Sequence, residues 1–240
     1  MAGRRLLILG GTGEASRLAQ EVPGGWEVIT SLAGRTQNPA SAATRVGGFG
    51  GVAGLASYLC REQITAVVDA THPFAGQISS QAVAAAHQVG VPLLLLVRPP
   101  WQPQVGDRWL EVADHGAAAA LLPGLAERVF LTIGRQELAA YAGLAGWFLM
   151  RMIEMPRPPL PAGEVILARG PFELGEERSL LQRYQIGAIV SKNSGGQATY
   201  AKIVAARELG LPVVMIQRPP LPDAEKVGDV SAVVRWLEGL

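Results

Sequence analysis

The chain has a single cysteine, Cys60, in 240 residues. No internal disulfide can form, which excludes a small oxidised scaffold. Histidine is nearly as scarce: His72, His87 and His115 share no metal-ligand spacing with that cysteine, so no metal is expected. Aromatic residues make up only 6% of the chain and charged residues 17%, and Lys+Arg 21 against Asp+Glu 20 leaves a net charge of +1. That balance creates no whole-molecule field, so neither nucleic acid nor an anionic membrane is expected as a partner. Long hydrophobic runs are missing too. After Arg4 and Arg5 the apolar run Leu6–Leu9 stops at Gly10 and Gly11, too short for a signal-peptide core, and no stretch approaches the roughly 18 apolar residues of a membrane span. The expectation is a soluble cytoplasmic protein, a monomer or small homo-oligomer, whose anion binding comes from local clusters.

Apolar residues (49%) are plentiful, and 29 glycines and 17 prolines punctuate them. Short buried-strand runs such as 6–9, 26–30, 66–69 and 92–97 alternate with amphipathic stretches such as 13–21 and 76–89. The second half repeats the pattern with runs at 129–133, 147–152, 165–168, 188–190 and 212–216. Strand followed by helix, over and over, predicts an α/β fold with parallel sheets covered on both faces. The chain also resembles itself: Gly90-Val-Pro-Leu-Leu-Leu-Leu-Val-Arg-Pro-Pro100 returns as Gly210-Leu-Pro-Val-Val-Met-Ile-Gln-Arg-Pro-Pro220, displaced by 120 residues. A helix–Gly-x-Pro–strand junction is common, but the shared Arg-Pro-Pro points to two similar domains. The expectation is two Rossmann-like domains, 1–100 and 101–240, with an inter-domain cleft at the carboxyl ends of their sheets.

The first glycine cluster sits where a dinucleotide motif should. Leu6–Leu9 is a buried strand, Gly10-Gly11-Thr12-Gly13-Glu14 the turn, and a helix follows. Gly11 permits the tight turn, Gly13 lets the backbone approach a pyrophosphate, and the helix start supplies N–H donors. The second strand ends in Ser31-Leu-Ala-Gly-Arg35, where an NAD-binding domain carries an acidic residue; a hydroxyl and a guanidinium suit a 2′-phosphate instead, favouring NADPH. Gly48 and Gly50, in the run Gly47–Gly51, are placed near the cofactor. Asp69-Ala-Thr71-His72-Pro73 ends another strand, with Thr71 and His72 beside the cofactor and His72 also a candidate acid or, equally, a loop-ordering imidazole.

The second half concentrates cations. Of three lysines, two lie in Ser191-Lys-Asn-Ser-Gly-Gly-Gln-Ala-Thr-Tyr-Ala-Lys202, a loop that opens a helix. Lys192, Ser194, Gly195, Gly196, Thr199 and Lys202 are candidate anion ligands. Arg98, Arg151, Arg169 and Arg218 lie near other strand ends, and Arg98, Arg169 and Arg218 join the candidate substrate set.

These segments, taken with Arg169-Gly-Pro-Phe172, resemble the precorrin-6A reductase family in order along nearly the whole chain. The resemblance implies an enzyme of cobalamin biosynthesis that uses NADPH to reduce one double bond of the precorrin-6A, or cobalt-precorrin-6A, macrocycle to precorrin-6B. A polycarboxylate tetrapyrrole fits the several separated cations of the second half. Reduction needs a hydride and a proton; His72, Lys192 and Tyr200 are the candidate acids. The Tyr-x-x-x-Lys pair of short-chain reductases is absent, which argues against a simple carbonyl reductase. Two other readings stay open: an NADPH-dependent reductase of another anionic small molecule, and a non-catalytic nucleotide-sensing domain pair.

Overall fold

The computed structural model describes residues 3–32 and 44–240. It contains two six-stranded sheets, every pairing in them parallel. In the first unit, β1 (Arg4–Leu9), β2 (Trp26–Leu32), β3 (Thr44–Val46), β4 (Ala66–Asp69) and β5 (Leu93–Leu96) are joined through α1 (Gly13–Glu21), α2 (Gly51–Arg61) and α3 (Gly76–Val89). Side chains alternate across a strand, so β1 divides between two cores. Leu6 and Ile8 pack with Leu18, Val68, Val233 and Leu237 on one face. Leu7 and Leu9 pack with Leu55, Leu59, Ala82 and Ala85 on the other. A strand covered on both sides must be apolar throughout, which is why Leu6–Leu9 reads as an unbroken run.

The second unit repeats this plan with β7 (Arg128–Thr132), β8 (Trp147–Met152), β9 (Gly163–Leu167), β10 (Ala188–Lys192) and β11 (Pro212–Ile216), with α5 (Leu174–Arg183) before β10 and α6 (Ala201–Glu208) after it. A 3-10 helix, Arg135–Tyr141, follows β7 in place of an α-helix. The repeated junctions match in detail. Gly90 and Gly210 both adopt left-handed φ, 69° and 65°. Behind them the Val91 amide reaches the Ala86 carbonyl at 3.0 Å and the Leu211 amide the Ala206 carbonyl at 2.9 Å, the six-to-one bond that closes a helix.

The two units exchange their last pieces. The first sheet runs β3-β2-β1-β4-β5-β12 and the second β9-β8-β7-β10-β11-β6, where β6 is Arg108–Val112 and β12 is Lys226–Val227. Chain leaving β5 supplies the edge strand beside β11, and chain leaving β11 supplies the edge strand beside β5. Each edge strand leads into a helix capped alike: Asp114 accepts from the Ala117 amide before α4 (His115–Leu121), and Asp229 from the Ala232 amide before α7 (Val230–Glu238), both at 2.8 Å. The domain expectation needs correcting here. Residues 219–240, assigned above to the second domain, belong to the first: the compact units are 1–99 with 219–240, and 100–218. β5 ends at Leu96 and β11 at Ile216, and three residues on Pro99 and Pro219 lack the N–H that would carry either ladder further, so the chain departs. Val233 and Leu237 then fill the core beside Leu6 and Ile8.

Among the described residues no helix is long and apolar enough to cross a membrane.

Candidate functional site

In both sheets the chain runs outward in one direction from the first strand and in the other from the fourth, so a crevice opens between β1 and β4, and between β7 and β10. Ligands of open α/β sheets bind there. In the first unit Thr12 bridges the crevice: its Oγ1 donates to the Ala70 carbonyl at 2.8 Å and accepts from the Ala15 amide at 3.1 Å, capping α1. Gly11 has φ +110°, a conformation that side chains rarely adopt. Nothing stands within 4 Å of where a Cβ of Gly11 or Gly13 would lie, so the backbone is open to close approach. Gly10 is held by its amide on the Ser31 carbonyl at 2.9 Å. Asp69, buried, accepts from the Thr71 amide at 3.0 Å and the Thr71 hydroxyl at 2.6 Å. A shallow pocket results, lined by Thr12, Glu14, Ala70, Thr71, Pro73 and Arg98 with Leu96. These residues fit a pyrophosphate: open glycine backbone, the first turn of a nine-residue helix, and a threonine.

Arg98 belongs to this end. Its guanidinium pairs with the Glu14 carboxylate at 2.7 Å, offsetting the one negative charge at the start of α1. His72 takes the loop-ordering role, its Nδ1 accepting from the Phe74 amide at 3.2 Å.

Arg35 lies outside the described residues. A different arginine, missed in the sequence, stands at the end of β2: Arg45 on β3 is the register partner of Ser31, with its guanidinium 3.4 Å from the Ser31 hydroxyl. It also donates to the Gly47 carbonyl and, at 2.7 Å, to the Gly48 carbonyl, and lies over the Phe49 ring at 3.8 Å. Arg45 thus shapes the glycine loop, in which Gly50 takes φ 83° as the cap of α2. Only the β2–β3 pairing reveals it, because the intervening residues hide the neighbourhood from sequence distance.

In the second unit the loop after β10 is held from two sides. Asn193, buried, exchanges both side-chain hydrogen bonds with the Trp101 backbone at 2.8 and 3.1 Å, and the Trp101 indole donates to the Gly196 carbonyl at 2.8 Å. Arg218 donates to the Asn193 and Ser194 carbonyls at 2.8 and 3.0 Å. With those carbonyls spoken for, Gly195 and Gly196 turn through left-handed φ of 68° and 76°. Arg218 is thereby a brace of the anion loop. Trp101 carried no signal in the sequence beyond following Arg-Pro-Pro, and Asn193, although inside the loop motif, was not singled out.

Lys192 forms an ion pair with Glu137 at 2.6 Å, largely enclosed. Burial works against the Glu137 carboxylate, but the Lys192 ammonium bonded to it holds it below the usual range. Lys202 departs from expectation. It is 3% exposed, donates to the Thr199 carbonyl at 2.8 Å and lies over the Trp101 ring, so it orders the loop from inside and presents no charge to a ligand. Burial pushes it down to about 7, with Arg151 adding to the effect. Arg151 itself is buried against Glu177 and stacks on Phe172 at 3.6 Å. Tyr200 accepts from Arg207 at 2.9 Å and packs on Trp101, beside a second shallow pocket with Gln102, Gln104 and Gln197. Arg169 is exposed on the segment whose Phe172 amide bonds the Ala198 carbonyl at 3.2 Å, which brings it beside the same loop. The loop therefore gathers Lys192, Ser194, Gly195, Gly196, Thr199 and the Arg169 segment, while Lys202 and Tyr200 serve its scaffold.

Comparison with known proteins finds relatives along nearly the whole chain. The model of the family described as Precorrin-6x reductase CbiJ/CobK matches residues 5–238. A Precorrin-6A reductase of Rhodococcus erythropolis is 50% identical over 97% of this chain and 97% of its own, and one of Rhodobacter capsulatus is 48% identical over 97% and 95%. A solved structure titled CobK precorrin-6A reductase superposes with TM-score 0.92 at 47% identity, covering 98% of this chain and 96% of that one. The chain belongs to the precorrin-6x reductase family.

Proposed function

We propose that this chain reduces one double bond of the precorrin-6A macrocycle with NADPH, giving precorrin-6B in cobalamin biosynthesis. The observation that carries the reading is the pairing of an open glycine turn at the first crevice with a cation-bearing loop at the second, in a chain that shares half its residues with precorrin-6A reductases over full length. Relatives named for the metal-free substrate are 45–50% identical, whereas those named for the cobalt form are 26–30% identical, which favours the metal-free macrocycle. Reading it as a soluble cytoplasmic enzyme, monomeric or a small homo-oligomer, fits a small-molecule substrate.

Bound NADPH supplies the hydride. The chain's own residues do the rest. Gly11, Gly13 and Thr12 hold the pyrophosphate at the start of α1, Thr71 borders it, and Ser31 with Arg45 receives the 2′-phosphate. The second unit neutralises substrate carboxylates through Lys192, Ser194, the Gly195 and Gly196 amides and Arg169. Lys192, bonded to Glu137 at 2.6 Å, is also the candidate proton donor. Mixing the protein with NADPH and precorrin-6A while recording both spectra tests the reading: coupled loss of the NADPH absorbance and a shift of the macrocycle chromophore are expected, and NADPH oxidation without a chromophore change overturns it.

A further inference from the structure

Four titratable side chains gather at the carboxyl edge of the second sheet. Lys192 ends β10; Glu137 and Tyr141 lie four residues apart on the 3-10 helix that follows β7; His115 opens the segment that follows β6. They form two pairs. Lys192 Nζ donates to Glu137 Oε1 at 2.6 Å, and the Tyr141 hydroxyl lies 3.0 Å from His115 Nδ1, the two rings edge to face at 87°. Tyr141 is fully buried, while His115 is only partly covered. One short helix therefore carries the partner of both donors.

The place is the crevice between β7 and β10, the counterpart of the one bridged by Thr12 in the first unit. It differs in chemistry. Only Gly134 remains where the first unit has Gly10, Gly11 and Gly13, and the Glu137 carboxylate fills the space beside it. A pyrophosphate would meet a carboxylate there. What the crevice offers a ligand is side-chain donors, and their protonation states are set by the surroundings. Burial keeps the Tyr141 phenol protonated, with the Glu137 charge acting in the same direction. Burial, and then the Lys192 charge, push the His115 imidazole below its usual range, with Glu137 and Asp114 opposing. The Tyr141–His115 bond forms with either tautomer, and the one in which the phenol donates to Nδ1 leaves the imidazole proton on Nε2.

We propose that Lys192 and the Nε2–H of His115 together bind one carboxylate of the substrate, with Glu137 and Tyr141 as the positioning residues for the ammonium and the imidazole. A cation beside a neutral donor matches the two oxygens of a carboxylate without stacking two positive charges in one crevice. The proposal rests on the reading that the second unit holds the macrocycle.

The test uses the full-length enzyme, precorrin-6A and NADPH. His115→Leu is expected to raise KM for precorrin-6A about tenfold, the weight of one hydrogen bond to a charged group, with kcat within about twofold and NADPH affinity unchanged. His115→Gln, which keeps an N–H donor, is expected to recover most of the loss. Tyr141→Phe is expected to raise KM about threefold. In 15N-histidine spectra the native enzyme should show a neutral Nε2–H tautomer for His115 that moves when precorrin-6A is added, and Tyr141→Phe should weaken that response. Turnover by the unmodified enzyme tests the functional reading separately. Normal turnover with an unchanged KM in His115→Leu, or a His115 signal that ignores saturating precorrin-6A, overturns the carboxylate site alone.

Discussion

A lysine enclosed by apolar surroundings lowers its free energy either by finding an acceptor or by giving up its proton. Lys202 uses both routes, with the Thr199 carbonyl at 2.8 Å and an ammonium pushed down to about 7 by burial first and Arg151 second. Between about pH 7 and 10.5 the folded chain therefore holds fewer protons on this group than the unfolded chain does, so its contribution to stability rises with pH across that window. Below pH 7 both states are protonated and the burial penalty is constant. Replacing the group by Lys202→Met is expected to stabilise the second unit at pH 7 by about 1–4 kcal/mol and to flatten the rise between pH 7 and 10.5. Denaturant melts of both proteins at pH 7 and pH 10 check this. The contrast with Lys192 is instructive at this scale. Ten residues separate two lysines of one motif, and only the fold distinguishes the one paired with Glu137 in the crevice from the one beneath the loop.

At the scale of elements, pairing decides which residues are neighbours. Ser31 was legible in the sequence because it stands at the end of the strand that follows the first helix. Arg45 was not, since its register partnership with Ser31 arises only when β3 adds to β2. Its guanidinium has two duties: it holds the Gly47 and Gly48 carbonyls and it places positive charge by the Ser31 hydroxyl. Arg45→Ala is expected to weaken NADPH binding by tenfold to a hundredfold, the loss of one charge-assisted contact, and NADH binding by no more than about threefold. Titration with 2′,5′-ADP against 5′-AMP checks the assignment without turnover. An equal loss for both would mean that the loop brace is the whole of its role. The glycine turn was read correctly as a turn for a plain reason: Gly11 needs a φ that L side chains rarely take, so the residue type itself carries the conformation.

For the whole molecule, the exchange of the two edge strands is the dominant feature. The first unit is incomplete until the last 22 residues return to it, because Val233 and Leu237, both fully buried, close the face of β1 formed by Leu6 and Ile8. Leu237→Ala is expected to cost about 2–5 kcal/mol, and to lower the melting temperature of the first unit although the change lies near the far end of the chain. Calorimetry with and without NADPH checks it: the cofactor should raise the transition that the substitution lowers. A transition lowered only in the second unit would contradict the exchange.

The residue pattern by itself determined the α/β class, the twofold repeat, the glycine turn and the glycine-bearing loop after β10. Each of these is a local property, set by side-chain period, backbone freedom or residue chemistry within a few positions. Tertiary structure alone decided that residues 219–240 complete the first sheet, that Arg98 serves Glu14, that Arg45 stands beside Ser31, and that Glu137 faces Lys192. Nothing local distinguishes β6 or β12 joining one sheet from joining the other, since either edge offers the same parallel backbone ladder. The choice rests on which core Val233 and Leu237 fill, an energy that exists only once distant segments have met.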